Sequence, residues 1–261
     1  MNVYILYIFI FIFGLIIGSF LNAVIWRLYK EESILTKTRS YCIKCRHKLG
    51  IRDLVPLFSF VFLRGKCRFC RKKISWQYPL VELTTGILFL LIFIKYWSGC
   101  LTDWQVSLQI ISGWVFISFL IVIFVYDLKY YLILDKITVP AMILAVILNL
   151  ILGIVWWKLL LAAIIGGGLF WFQYVISKGK WVGGGDIRLG ILMGLMLAWP
   201  QIITALFFAY VTGAIIGVGL ILSKRKTMKS AVPMGTFLTI GTVIALLYGE
   251  QILDWYVRLL Y

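Results

Sequence analysis

Charged side chains are scarce in this sequence. Only 14% of its 261 residues are charged, ten residues are Asp or Glu, and one is His. The single histidine, His47, excludes a zinc peptidase of the HExxH type, which needs two, and argues against a Ser–His or Cys–His nucleophile inside a membrane. Acid–base chemistry in this chain is therefore expected to depend on its few carboxylates.

Long apolar runs take the place of the missing charge. Hydrophobic residues make up 62% of the chain, and several runs reach the roughly 20 residues that a helix needs to cross a bilayer. The runs are continuously apolar rather than alternating, which favours helices over a closed barrel. We predict an all-α polytopic membrane protein with eight transmembrane helices. The predicted spans are Val3–Trp26, Leu80–Trp97, Val106–Tyr126, Ile137–Trp157, Leu159–Ile176, Val182–Trp199, Ile202–Leu222 and Gly235–Tyr248.

Basic residues are unevenly divided between the segments that connect these spans. Of the 26 Lys and Arg, 23 fall on one side and three, Lys95, Lys158 and Arg258, on the other. Because cytoplasmic loops are enriched in Lys and Arg, we predict a multi-pass membrane protein with both termini outside. The first run has no basic residue before it, so we expect an uncleaved anchor rather than a secretory signal.

Glycines recur at four-residue spacing within three of the predicted spans. The pairs are Gly14 and Gly18, Gly190 and Gly194, and Gly213 and Gly217. Since a residue without a side chain lets two helices approach closely, we expect helix contacts at these positions. The end of the chain, 251–261, is amphipathic and is expected to lie on the outer surface.

A strongly basic module is predicted at 28–79, between a first transmembrane helix at 1–27 and a transmembrane core at 80–261. Fourteen Lys and Arg between Arg27 and Lys73 stand against three acids, which gives this stretch a net charge of +11. Such a block could bind nucleic acid. We favour a cytosolic loop that interacts with anionic membrane lipids, and we expect that it binds no nucleic acid.

The same module holds two CxxC pairs with 21 residues between them, formed by Cys42, Cys45, Cys67 and Cys70. This spacing is typical of a tetrahedral zinc site, and a cytosolic location argues against disulfides. We predict a structural Zn²⁺ that folds a loop too small to have its own core, since four thiolates leave no position for a catalytic water. A redox dithiol and cysteines without a ligand are the alternatives. His47 is a solvated residue or a marginal further ligand.

Three acids are predicted at or near the cytosolic membrane face: Asp127, Asp135 and Asp186. Asp186 follows three glycines and begins a short apolar run that ends at Trp199, so a helix there would place it within the bilayer. An ionisable residue in a membrane is usually functional, although an acid at a helix start can also serve as a cap. Two carboxylates that share a proton can activate water and protonate a leaving amine. Asp135 is the spare acid, either as a second partner or as a cap.

Several segments resemble the type IV prepilin peptidase family of GxGD aspartyl peptidases. They are Gly18–Leu28, the two cysteine pairs, Leu63–Cys70, Ile74–Glu82 and Gly183–Leu189. The resemblance implies that Asp127 and Asp186 form the catalytic pair, within eight transmembrane helices of a bacterial inner membrane, and that cleavage occurs on its cytosolic side. We further expect Gly183 and Gly185 to let an extended substrate backbone approach.

The resemblance also implies substrates and a second activity. The substrates would be prepilins or pseudopilins of pili, competence or type II secretion systems, with basic leaders that end in the glycine before the cut. Many members of the family then methylate the new N-terminal amine with S-adenosylmethionine, but no glycine-rich nucleotide fingerprint locates that site here. The competing classes are a non-enzymatic membrane protein whose basic zinc ribbon anchors partners, and a transporter, which would be expected to show a repeat.

Overall fold

The computed structural model describes residues 3–32, 40–97, 103–223 and 232–260, which are mostly helical. Within these ranges there are nine α-helices and one 3-10 turn, Ile51–Asp53. The helices are α1 Val3–Tyr29, α2 Phe58–Phe62, α3 Gln77–Tyr96, α4 Trp104–Tyr130, α5 Asp135–Ile151, α6 Trp156–Ser177, α7 Gly184–Leu197, α8 Gln201–Leu222 and α9 Met234–Leu260.

The helical membrane fold predicted from the sequence is confirmed. Six of the described helices, α1, α3, α4, α6, α8 and α9, are long and apolar enough to cross a bilayer. The other two predicted spans correspond to α5, with 17 residues, and α7, with 14. A helix of 14 residues rises about 21 Å, against a hydrocarbon core of about 30 Å. The predicted number of eight therefore depends on these two short helices.

The helices form two compact units, 1–97 and 98–261. In the first unit α3 packs along α1. A Cβ at Gly14 would lie 2.7 Å from Cα of Gly86, and a Cβ at Gly18 would lie 2.7 Å from Cα of Glu82. The glycine spacing in α1 therefore allows backbone contact with α3, the helix that sequence patterning had placed at the start of the transmembrane core.

In the second unit α6 packs along α7, α8 along α9, and α7 also contacts α5 and α9. The approach of α6 to α7 is closest at small residues. A Cβ at Gly190 would lie 2.5 Å from the carbonyl oxygen of Gly166, and a Cβ at Gly194 would lie 2.3 Å from that of Ala162. The short helix α7 is thus held by direct contact between two backbones.

The third predicted glycine pair is confirmed only in part. A Cβ at Gly213 would lie 3.3 Å from the ring of Phe237 on α9, whereas nothing lies within 4 Å of the corresponding position at Gly217. The last described residues, 251–260, continue α9 without a break. The pattern of small residues therefore indicates a helix contact at one position of this pair and not at the other.

The connection between α4 and α5 reverses the chain within four residues. Tyr131 adopts a left-handed conformation, with φ of 55°, and its backbone N–H donates to the carbonyl oxygen of Asp127. At the other end of α5, Asn149 Nδ2 donates to the carbonyl oxygen of Leu195 over 2.6 Å. The turn at Tyr131 places the start of α5 beside the end of α4, and the hydrogen bond from Asn149 attaches the end of α5 to α7.

The contact between α6 and α7 can be tested with a matched pair of glycines in α6. Gly166→Ala should destabilise the protein by roughly 1–3 kcal/mol, the usual cost of overpacking, because its Cβ would lie 2.2 Å from the Gly190 carbonyl oxygen. Thermal unfolding in detergent micelles measures the change. Gly168→Ala is the control, since nothing lies within 4 Å of its added Cβ, and equal stability of the two variants would contradict the contact.

Candidate active site and metal centre

Asp127 is buried, and its carboxyl group lies against the first turn of α9. It lies in the last turn of α4 and is 4% exposed. Its Oδ2 accepts a hydrogen bond of 2.8 Å from the backbone N–H of Thr236, and the backbone of Gly235 also donates to this carboxyl group. Both donors belong to the first turn of α9. A helix N-terminus offers unpaired N–H groups and the positive end of the helix dipole, so it suits a buried carboxylate.

Asp186 is held in a similar way by its own helix. It is the third residue of α7 and is 9% exposed. Its Oδ2 accepts a hydrogen bond of 2.9 Å from the backbone N–H of Gly183. Asp186 therefore caps the start of α7, as considered from the sequence, and the cap uses one of its two carboxylate oxygens. Among the described residues, Oδ1 has no hydrogen-bond partner.

The two carboxyl groups lie close enough for the charge of Asp186 to act on Asp127. Ile133, in the connection between α4 and α5, packs against the starts of both supporting helices. A Cβ at Gly185 would lie 3.0 Å from Cβ of Ile133, and one at Gly235 would lie 3.0 Å from its Cδ1. The structure thus places in one site the two acids that the sequence singled out.

Asp135, the spare acid, has a different partner. It is the first residue of α5 and forms an ion pair with Arg188 of α7. The two side chains are 55% and 48% exposed. An exposed pair of this kind usually contributes little to stability, but it gives Asp135 a cation as its neighbour rather than a second carboxylate.

The three glycines before Asp186 differ in the space around them. A Cβ at Gly183 would meet nothing closer than Oδ2 of Asp186, at 3.6 Å, and one at Gly184 would meet nothing within 4 Å. Gly185 lies against Ile133. Packing within the protein therefore explains the small residue at Gly185, whereas Gly183 and Gly184 leave open space beside the acid.

Sequence reasoning missed several neighbours of the acids. Gly235 and Thr236 contribute through backbone N–H groups, and the only signal was a helix start just after Pro233. Tyr210 on α8 lies near enough to Asp186 to interact with its charge. The hydroxyl of Tyr210 accepts a hydrogen bond from Gln173 of α6. Nothing in the spacing of these polar residues indicated that they would meet.

The four cysteines of the first unit form one cluster. The sulfur atoms of Cys42, Cys45, Cys67 and Cys70 lie within 4.8 Å of one another. Sγ of Cys42 and Sγ of Cys70 are 3.9 Å apart. Zn–S bonds of about 2.3 Å place the sulfurs of a tetrahedral site about 3.8 Å apart. The cluster could therefore hold one zinc ion.

Both CxxC segments fold in the same way. In each, the backbone N–H of the first cysteine donates to the carbonyl oxygen of the residue five positions further on. The residue just before that acceptor is an arginine in a left-handed conformation. The two sets are Cys42, Arg46 and His47, and Cys67, Arg71 and Lys72. The ring of His47 lies on that of Phe69, with centroids 3.5 Å apart, and His47 is not part of the cluster found among the described residues.

Hydrogen bonds from its neighbours lower the pKa of the Cys42 thiol. Burial raises the pKa of Cys42, but the backbone N–H groups of Cys45 and Lys44 and the neighbouring thiols of Cys67 and Cys45 more than offset this and lower it to about 7. A thiol with a lowered pKa gives up its proton to a metal more readily.

Comparison with known proteins links both units to one family. A family profile described as the Bacterial Peptidase A24 N-terminal domain matches residues 12–96, which include the four cysteines. A second, described as the Type IV leader peptidase family, matches residues 114–218, which include Asp127 and Asp186. No solved structure matches the chain.

Curated relatives match over nearly the whole chain. A protein of Bacillus subtilis (strain 168), named prepilin leader peptidase/N-methyltransferase, is 33% identical over 250 residues, which cover 96% of this chain and 97% of the relative. A protein of the same name from Aeromonas salmonicida (strain A449) is 31% identical over 279 residues, covering 95% and 92%. Another from Myxococcus xanthus (strain DK1622) is 34% identical over 224 residues, covering 84% and 64%.

The metal centre can be tested by metal analysis of the purified chain. We expect one zinc ion per chain by mass spectrometry of metals. The double substitution Cys42→Ser with Cys67→Ser should abolish zinc binding, because it removes one ligand from each CxxC pair. Cys100→Ser is the control, since Cys100 is the remaining cysteine of the sequence and lies outside the described residues. Zinc retained by the double variant, or lost by the control, would contradict this assignment.

Proposed function

Because the chain belongs to the type IV leader peptidase family, we propose that it is an intramembrane aspartyl endopeptidase that removes the basic leader from type IV prepilins or pseudopilins. The observation that carries this proposal is the approach of two buried carboxyl groups, Asp127 and Asp186, in a mainly apolar helical unit. The relatives that match over most of their length are named for prepilin leader cleavage and N-methylation.

Hydrolysis by the pair follows from the proximity of two like charges. Two neighbouring carboxylates resist ionising together, so the pair holds one proton between them. The ionised member takes a proton from a water molecule as the water attacks the carbonyl carbon of the glycine that ends the leader. The leaving amine of the next residue receives a proton from the pair, which breaks the C–N bond.

The backbone donors keep this pair in place during the reaction. Thr236 and Gly235 hold Asp127, and Gly183 holds Asp186. Main-chain N–H groups at helix starts cannot rotate away as side chains do, so the carboxylates are oriented before substrate arrives. The open space beside Gly183 and Gly184 supports the approach of an extended substrate backbone at this edge of the pair.

The position of the site in the membrane follows from helix lengths and charge. With 14 residues, an α7 that ends at the outer interface begins about 10 Å inside the inner boundary of a core about 30 Å thick. Because 23 of the 26 basic residues fall on one side of the predicted spans, we place the termini outside and the site near the cytosolic face. Backbone at that depth must line a hydrated cavity, which also supplies the water.

The first unit supplies the cysteine cluster, and the name of the relatives supports a second reaction, N-methylation. Zinc at the cysteine cluster would fold the basic module, and no step of hydrolysis passes through it. N-methylation transfers the methyl group of S-adenosylmethionine to the new N-terminal amine. A C–N bond forms as the C–S bond breaks, the amine loses a proton, and S-adenosylhomocysteine leaves.

The pair is tested by substitutions that keep shape and remove the titratable group. Asp127→Asn and Asp186→Asn should each lower leader cleavage by at least about 10²–10⁴-fold, the usual contribution of general acid–base catalysis. The assay is cleavage of a purified prepilin, with products weighed by mass spectrometry. Asp135→Asn and the exposed Asp254→Asn are controls and should cleave within a few-fold of the parent. Normal cleavage by either variant of the pair would remove that residue from the mechanism.

The approach of the substrate is tested at Gly183. The methyl group added by Gly183→Ala would lie no closer than 3.6 Å to any neighbouring atom of the protein, so the unfolding temperature should not change. We expect its KM for prepilin to rise at least about tenfold, because a Cβ beside Asp186 would stand in the path of the substrate backbone, and 1.4 kcal/mol of lost binding is a factor of ten. Gly168→Ala on α6, where nothing lies within 4 Å of the added Cβ, is the control and should leave KM unchanged. An unchanged KM in Gly183→Ala would place the substrate elsewhere.

A further inference from the structure

Helix α2 of the first unit carries an apolar face although it is far too short to span a membrane. It has five residues, and its side chains Phe58, Val61 and Phe62 are 61%, 70% and 81% exposed within the described chain. Residues three and four positions apart lie on the same side of a helix, so these three side chains form one surface, the α2 face. Large apolar side chains grouped in this way usually mark a contact with a protein or a membrane.

The opposite side of α2 packs on the first unit itself. The centroid of the Phe60 ring lies 5.0 Å from that of the Trp76 ring, and a Cβ at Gly65 would lie 3.2 Å from the ring of Phe60. The turn Ile51–Asp53 also contacts α2, and its first residue is an exposed isoleucine. These contacts hold α2 in one orientation, with the α2 face directed outward.

Helix α3 indicates where a bilayer would lie. It has 20 residues, Gln77–Tyr96, and is flanked by Trp76 at its start and Trp97 at its end. A helix of 20 residues rises about 30 Å, which matches the hydrocarbon core of a bilayer. Since tryptophan prefers the two membrane interfaces, Trp76 marks the interface on the side of the basic segment.

Helix α2 is attached to the first turns of α3. The backbone N–H of Leu57, the residue before α2, donates to Oε2 of Glu82 over 2.9 Å. Glu82 lies in the second turn of α3, and Phe60 packs on Trp76 just before that helix. The α2 face is therefore held at the level of the interface rather than out in the cytosol.

Basic side chains stand on both sides of α2 along the chain. Arg52 lies in the turn that contacts α2, and Arg64 follows the end of α2 by two residues. Both are exposed, and neither is paired with an acid among the described residues. Guanidinium groups bind phosphate oxygens well. Aromatic side chains beside cations are typical of segments that lie in the headgroup region of anionic membranes.

We propose that α2 is an interfacial segment whose apolar face inserts into the lipid leaflet next to the basic segment. Phe58, Val61 and Phe62 enter the boundary between headgroups and acyl chains, and Arg52 and Arg64 bind the phosphates of anionic lipids. Charge alone indicates only that the basic segment lies near such lipids. The apolar face adds a third attachment to the bilayer beside α1 and α3, which fixes the depth of the cysteine cluster.

Lipid is favoured over a protein partner by what lies at the same level. The first turns of α3 expose Leu80 and Leu83, and α3 is apolar enough to span a bilayer. Lipid must therefore already be present beside the helix to which α2 is attached. Inserting the α2 face into this lipid buries it without any further partner.

The proposal is tested by photocrosslinking of the full-length protein in vesicles of phosphatidylethanolamine and phosphatidylglycerol. The photoreactive residue p-benzoylphenylalanine replaces Phe62, which keeps an aromatic ring there, and lipid adducts are measured by mass spectrometry. The control places the same residue at Phe69, an exposed phenylalanine between the second pair of cysteines. We expect at least about tenfold more lipid adducts at position 62 than at position 69, because only the former inserts.

The role of charge is tested with the same label at position 62. Arg52→Gln combined with Arg64→Gln should lower the share of phosphatidylglycerol among the adducts at least about twofold, because basic residues near the surface attract anionic lipid. Arg46→Gln combined with Arg71→Gln is the matched control. It removes the same charge from two exposed arginines of the CxxC segments and should leave that share unchanged.

Unfolding temperature shows whether each labelled protein stays folded, and Phe58 offers a second position for the label. Equal lipid adducts at positions 62 and 69, or adducts at position 62 that join it to this chain or to a second copy, would overturn the proposal. Loss of the lipid adducts when a prepilin is added would assign the α2 face to the substrate and would also overturn it. The proposal does not depend on the proposed function: a parent that forms the lipid adducts but cleaves no prepilin would refute only the latter.

Discussion

The burial of two carboxyl groups among apolar helices is the constraint on which the second unit depends. Asp127 and Asp186 are 4% and 9% exposed, and a buried acid without donors is costly. The donors are main-chain N–H groups at helix starts, and one that serves Asp127, Thr236, lies 109 positions further along the chain. Helix α9 must therefore begin beside the end of α4, and α7 must begin within reach of both, which fixes where these helices start.

The remaining packing keeps these helix starts together. Backbone contact between α6 and α7, at Gly166 and Gly190, fixes the short helix along its length. Ile133 then fills the space between the starts of α7 and α9. An apolar side chain at this point excludes water from one side of the acids, while Gly183 and Gly184 leave the other side open. The site is consequently packed on the side of Ile133 and open beside Gly183 and Gly184, where we propose that the substrate approaches.

The sequence predicts the acids and the cysteines because their chemistry is rare in so apolar a chain. It predicts the helices, but the predicted span Val182–Trp199 is two residues longer at each end than α7, because the residues that flank this helix are themselves uncharged. The sequence pattern does not predict that the backbone N–H groups of Gly235 and Thr236 donate to Asp127, because every residue except proline has such a group. The pairing of Asp135 with Arg188 is likewise unpredictable, because the two residues are 53 positions apart on different helices.

The basic charge of the first unit bears on the substrate that we propose. A net charge of +11 between Arg27 and Lys73 would repel a basic leader, but salt screens exposed charges beyond about 8 Å. Buried charges are screened much less, so the carboxyl groups of Asp127 and Asp186 can act on a leader that comes close to them. We therefore expect the exposed basic residues to weaken the approach of a leader mainly at low salt, and the buried acids to attract it at any salt concentration.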